Sequence, residues 1–192
     1  LKLTQKKQVV AQLASNLWFQ NGEYNVTTNW SYMKYPQIDF GLGSNSDLHL
    51  VDSLDYKYLK LHQSISKKIG NNLYIGTGLN IDYYFNIVDT TKFNKPLYGF
   101  REYGLTKSSN SSGWLVSLLY DTRKSAIMPV AKSSFLNVVF RNNVTWLGST
   151  SNWASLTVDA RKYLPFPMGS NNILAFWTYN QFTLGGKSPY LD

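Results

Sequence analysis

The sequence predicts an all-β fold: an antiparallel up-and-down transmembrane β-barrel with about eight strands present. Three observations carry this. Apolar and polar residues alternate with period two over long stretches, as strands with two different faces require. The breaks between stretches hold Asn, Gly and Ser, which tolerate the left-handed backbone of tight turns. The composition is also lopsided. Only 16% of residues are charged, 16% are aromatic, and 18 Asn, 20 Ser and 13 Thr supply most of the polarity, whereas soluble domains carry roughly 25% charged residues.

The elements follow in order. Val9, Ala11, Leu13 and Leu17 alternate with Gln8, Gln12, Ala14 and Asn16, and Asn21-Gly22 turns the chain. Tyr24, Val26, Thr28, Trp30 and Tyr32 then share one face, with Asn25, Thr27, Asn29 and Ser31 opposite. Pro36–Ser53 has no period and is expected as a long connection. A strand over Leu54–Ile69 puts Leu59, Leu61 and Ile65 on one side, and Gly70-Asn71-Asn72 is a turn. Leu73–Phe85 alternates cleanly, with Tyr74, Gly76, Gly78, Asn80, Asp82 and Tyr84 on its polar face. Asn86–Ser112 is a second irregular connection. Trp114–Asp121 is the next strand. Leu136, Val138, Phe140, Val144 and Trp146 then share a face opposite Asn137, Val139, Arg141, Asn143 and Thr145. After Gly148–Asn152, residues Ser155–Arg161 alternate again. Gly169–Asn172 leads into the last strand, Ile173–Phe182.

Long strands separate a membrane barrel from a soluble sandwich, whose strands run to about 5–6 residues; a membrane strand needs about 10. Polar faces made of Asn, Thr, Ser, Gly and Tyr suit a wet interior. Aromatics near predicted strand ends, such as Trp18, Phe19, Tyr32, Tyr83–Phe85, Trp146 and Tyr163, suit interfacial girdles. Short and long connections are expected to alternate between two rims.

Other classes are excluded. Aromatic content argues against disorder. No apolar run approaches the roughly 20 residues of a spanning helix. With no cysteine there is no disulfide scaffold, zinc-thiolate site or cysteine nucleophile. His49 and His62 are the only histidines, and neither has catalytic or metal-ligand spacing. The chain is therefore read as no enzyme, with no cofactor and no metal. A net charge of +8 with many aromatics raises single-stranded nucleic-acid binding. Several bases, among them Lys92, Lys95, Arg101 and Lys107, fall in connections instead of on aromatic faces, so no nucleic-acid partner is expected. Lipid headgroups or saccharide suit these charges better. Asp159 and Arg161 lie two apart on one polar face, and Asp121 and Arg123 close an earlier strand. These four are the candidate lumen contacts, expected to pair across strands.

The order Trp114–Asp121-Thr-Arg123, Pro129, the strand into Trp146, Leu147-Gly148-Ser149, the strand containing Asp159-Ala-Arg161, and Leu184-Gly185-Gly186-Lys-Ser-Pro189-Tyr190 resembles a known family. It is that of outer-membrane barrel assembly and translocation proteins, the BamA/TamA type or bacterial surface antigen family. The likeness covers about Gly113–Asp192; the family's Gly after the Pro is replaced by Val130-Ala131-Lys132. It implies that residues 1–192 are part of a sixteen-stranded barrel, with POTRA domains and C-terminal strands lying outside them. It also implies a bacterial outer-membrane location, a lipid bilayer partner, client outer-membrane proteins and accessory assembly subunits. Two alternatives stay open: a complete small eight-stranded barrel with a passive or adhesive role, and a soluble basic β-protein that binds nucleic acid or polysaccharide.

Overall fold

A computed structural model describes residues 2–3, 8–41, 52–90, 99–104, 106–169 and 172–192. His49, Lys92 and Lys95 lie outside them. The described residues form nine strands: β1 (Lys2–Leu3), β2 (Val9–Phe19), β3 (Tyr24–Asp39), β4 (Asp52–Gly70), β5 (Leu73–Asp89), β6 (Ser108–Asp121), β7 (Ser134–Asn143), β8 (Trp153–Pro165) and β9 (Ile173–Gly186). They pair in sequence order, all antiparallel, in a single sheet. The eight strands expected from alternation are β2–β9. Among the described residues β9 pairs only with β8, and neither β1 nor β2 reaches it, so the sheet is open.

Three strands outrun their period. β4 has 19 residues and β5 has 17, and β3 runs on through Pro36 to Asp39. A proline suits that place because it cannot donate to a ladder. Among the described residues β2 pairs with β3 no further than Lys34, and Pro36 pairs on its β4 side, opposite Asp55.

One strand stops early. β7 ends at Asn143, and Thr145–Leu147 form a 3-10 turn in which Trp146 is exposed. Trp146 therefore does not share the strand face expected of it. The Thr145 amide donates to Asn152 Oδ1 at 2.7 Å, which removes it from the ladder. The rim alternation also holds only in part. Connections 20–23 and 71–72 are short, but 122–133, on the same rim, is as long as 40–51 opposite. A four-residue helix, α1 (Phe100–Tyr103), stands in the connection before β6.

The sheet curls around its polar face. One cavity of about 670 Å³ is lined from six strands, reaching from Asn16 of β2 to Val139 of β7. Close approach of strands allows the curl. A side chain at Gly78 would overlap the Gln63 carbonyl oxygen and stand 2.8 Å from the Ser64 Cα. Only glycine fits there.

Burial is inverted relative to a soluble protein. Among the described residues ten polar or charged ones are buried, against six hydrophobic ones. A buried hydrophobic cluster, Leu54, Ile87 and Phe100, sits at the rim of the long connections. Leu13, Trp30, Ile65, Leu79 and Val116 are all exposed on the convex face.

Gly78→Val should therefore lose about 1–3 kcal/mol through overpacking. Urea unfolding followed by tryptophan fluorescence measures this; an unchanged midpoint would show that β4 and β5 have room to spare.

Candidate functional site

The concave face carries the chemistry. Alternation puts residues two apart on the same face, and the registers bring these faces together. Asp82 is the hub. Its side chain is 6% exposed, and three side chains from two strands converge on it. Tyr58 of β4 donates its hydroxyl to Oδ1. His62 of β4 places Nε2 2.8 Å from Oδ2. Arg141 of β7 donates Nη1 to Oδ2 at 2.6 Å.

Asp82 stands on β5 and Arg141 on β7, so their bridge passes over β6. Gly113 and Ser111 of β6 leave room for it. Arg141 donates Nη2 to the Ser111 carbonyl at 2.8 Å and Nε to Asn143 Oδ1 at 2.8 Å. A side chain at Gly113 would stand 2.7 Å from that same Oδ1. A buried charge needs a partner, because desolvation costs several kcal/mol per ion. Here one carboxylate is matched by one guanidinium, with a phenol and an imidazole completing its shell.

The C-terminal segment reaches the same face. Gly186 has φ +75°, and a side chain there would overlap the Asn152 carbonyl oxygen. The chain leaves the sheet at this glycine. Tyr190 then packs edge-on against Phe100 and donates to Asp39 Oδ2 at 2.6 Å. Asp192 accepts from the Ser111 hydroxyl, which itself accepts from Trp153 Nε1 at 3.2 Å. Burial pushes the Asp192 carboxyl up to about 6, and the neighbouring Asp82 charge adds to this. The segment thus docks best with Asp192 protonated.

The four candidate residues form a second cluster at the opposite rim. Each Asp-x-Arg pair closes on itself instead of across strands. Arg123 donates Nε and Nη2 to Asp121 at 2.9 and 2.8 Å. Arg161 does the same to Asp159 at 3.0 and 2.7 Å. The physical reason is the i, i+2 spacing, which sets both partners side by side on one face. What joins the pairs is aromatic. Phe135 lies opposite both Asp121 and Arg161 in register. The Arg123 guanidinium sits 4.0 Å from its ring centroid and the Arg161 guanidinium 5.2 Å. Trp177 of β9 continues the row, 4.9 Å from Arg161, and donates Nε1 to Asp159 at 2.9 Å. Planar guanidinium groups over ring faces are favourable when shielded from water.

Sequence reasoning missed the Asp82 hub. Its signal was available: Asp82 is the only charge on β5 before its last residue, and Arg141 the only charge on β7. The aromatics near strand ends divide between the two faces. Tyr24, Tyr83 and Phe85 face outward, whereas Trp18, Tyr58, Tyr84, Tyr163 and Tyr179 share the concave face with the polar residues. Among the described residues no group of His, Asp and Glu has metal-binding geometry. No family model, no curated protein and no solved structure matches the chain.

Removing one partner of the buried bridge should be far worse than removing both. Arg141→Ala should lose about 3–5 kcal/mol, and the double variant with Asp82→Ala markedly less than the two singles combined. A double-mutant cycle by urea titration reads the coupling; strict additivity would mean that the two charges act independently.

Proposed function

We propose that this chain forms the wall of an outer-membrane β-barrel, with its convex face in lipid and its concave face lining a wet interior. The barrel serves insertion of other barrel proteins, or translocation across the outer membrane. The observation that carries the membrane reading is the inverted burial: apolar side chains outside, a bonded polar and ionic network inside.

The convex face also has the right height. On β4, Lys57 and Lys67 bracket Leu59, Leu61, Gln63 and Ile65. Each lysine lies against an outward aromatic, Lys57 5.8 Å from Phe85 and Lys67 5.7 Å from Tyr24. Ten residues at about 3.3 Å each, tilted by about 40°, span about 25 Å of membrane. Lys162, on β8, lies four residues beyond the register row of Lys67. That offset over four strands is what a tilted strand produces. Gln63, in mid-band, has both amide atoms engaged: Oε1 accepts from the Thr28 hydroxyl at 2.9 Å, and Nε2 donates to the Thr27 carbonyl at 3.2 Å. Hydrocarbon demands such internal pairing.

The assembly or translocation role is supported by the residues of the family resemblance. Asp121-Thr-Arg123 and Asp159-Ala-Arg161 are bidentate pairs facing the interior, and Gly186 and Tyr190 turn the chain inward.

Two measurements test this. Leu79→Arg, on the convex face midway between the lysine rows, should lose about 2–4 kcal/mol when the protein unfolds from vesicles. A loss within about 0.5 kcal/mol is what an ordinary solvated surface gives, and would refute the membrane reading. Depleting the protein from its bacterium should lower the amounts of other barrel proteins in the outer membrane. Unchanged levels by quantitative proteomics would leave a passive wall and remove the assembly role.

A further inference from the structure

The rim of the β2–β3 and β4–β5 turns is basic. Lys67, Lys68, Lys124, Lys132 and Lys162 are exposed there, and none forms an ion pair among the described residues. Of the acidic groups at this rim, Asp121 and Asp159 are taken by their own arginines, which leaves Glu23. The opposite rim mixes Lys34, Lys57, Lys107 and Lys187 with Asp39, Asp55 and Asp89. One basic side chain stands beside a furrow. On the convex face Tyr24, Lys67 and Ile75 form one register row, and Ile65, Thr77 and Val116 the next row toward mid-membrane. Together they border a groove of about 380 Å³ above the Ser66–Gly76 pair. Thr77 donates its hydroxyl to the Leu115 carbonyl at 3.0 Å, so its methyl is what remains for the groove. The groove is thus apolar, open toward lipid, and topped by a lone ammonium and a phenol.

We infer that this groove binds one anionic diacyl phospholipid, with the phosphate on Lys67 and the Tyr24 hydroxyl and an acyl chain along Ile65, Ile75, Thr77 and Val116. The inference rests on the membrane reading proposed above. Charge decides the lipid class. A zwitterionic headgroup brings its own cation against Lys67 and the neighbouring lysines, whereas a net negative one is attracted by each of them. The short-turn rim of an outer-membrane barrel faces the periplasm, so the site belongs to the inner leaflet.

The test uses the full-length protein in nonionic detergent, titrated with phosphatidylglycerol or phosphatidylcholine, with bound lipid counted by native mass spectrometry. Phosphatidylglycerol should be retained in preference to phosphatidylcholine. Lys67→Gln should weaken phosphatidylglycerol about fivefold, the scale of one lysine near a charged surface, and leave phosphatidylcholine unchanged. Val116→Trp fills the furrow and should weaken both. Lys57→Gln, at the other rim, should change neither. Equal retention of the two lipids, or a Lys67→Gln protein that binds like the parent, would overturn the site. So would displacement of phosphatidylglycerol by millimolar inorganic phosphate, which would mark a plain anion site. If the protein enters vesicles yet shows no lipid preference, this site fails and the membrane reading stands; if it stays out of vesicles altogether, the membrane reading itself fails.

Discussion

Among the described residues, the apolar side chains on the convex face of this sheet have no second protein layer to pack against. A sheet ordinarily buries one face against a helix layer or another sheet. Here nine strands follow one another in a single meander, and the only helix described is one turn long at a rim. On the membrane reading proposed above, hydrophobic burial, the dominant favourable term in folding, comes from the lipid around the sheet. The rest of the molecule follows from that. Long strands, lysines at both ends of the apolar band, and a mid-band glutamine with both amide atoms bonded are what the proposed hydrocarbon surround would select.

The same constraint sets the interior. A concave face that lacks a hydrophobic core has to be held by hydrogen bonds and ion pairs, and these help only when every member is satisfied. At the Asp82 hub the carboxylate is bonded by Tyr58 and His62 of β4 and by Arg141 of β7, which reaches across β6 where Ser111 and Gly113 leave the space; the Asn143 side-chain nitrogen beside it is left without a partner. At the other rim the two Asp-x-Arg pairs neutralise themselves, and Phe135 fills the gap between their guanidinium groups. One cluster ties strands by charge, the other by stacking. The C-terminal segment joins the first cluster through Asp192 and the rim core through Tyr190, so the interior is coupled to the chain beyond β9.

Strand identity was legible from particular residues. Leu73–Phe85 alternates without error because its two environments differ so strongly, and the registers of β5 with β4 and β6 put its faces where alternation expects them. The failures have local causes. Pro36 reads as a strand breaker, yet β3 runs on through it, paired with Asp55 of β4. Trp146 continues the alternation numerically, yet Asn152 takes the amide that the ladder would need. Outward and inward aromatics could not be told apart by position near a strand end, since neighbours such as Tyr83 and Tyr84 point to opposite faces.

By itself, the sequence determined where the chain alternates and which residues share a face in β2–β9, because period-two alternation is a local property of the backbone; which face is enclosed followed from the curl of the sheet. It also determined that Asp121 and Arg123, and Asp159 and Arg161, would share a face. Tertiary structure alone decided which charges meet. Asp82 and Arg141 are 59 residues apart, and their bridge over β6 depends on curvature and register that no local pattern encodes. The pairing of Phe135 with two arginines, the docking of Tyr190 on Asp39 and the furrow beside Lys67 are decided in the same way. Each needs neighbouring strands set side by side at one height, and only the folded sheet does that.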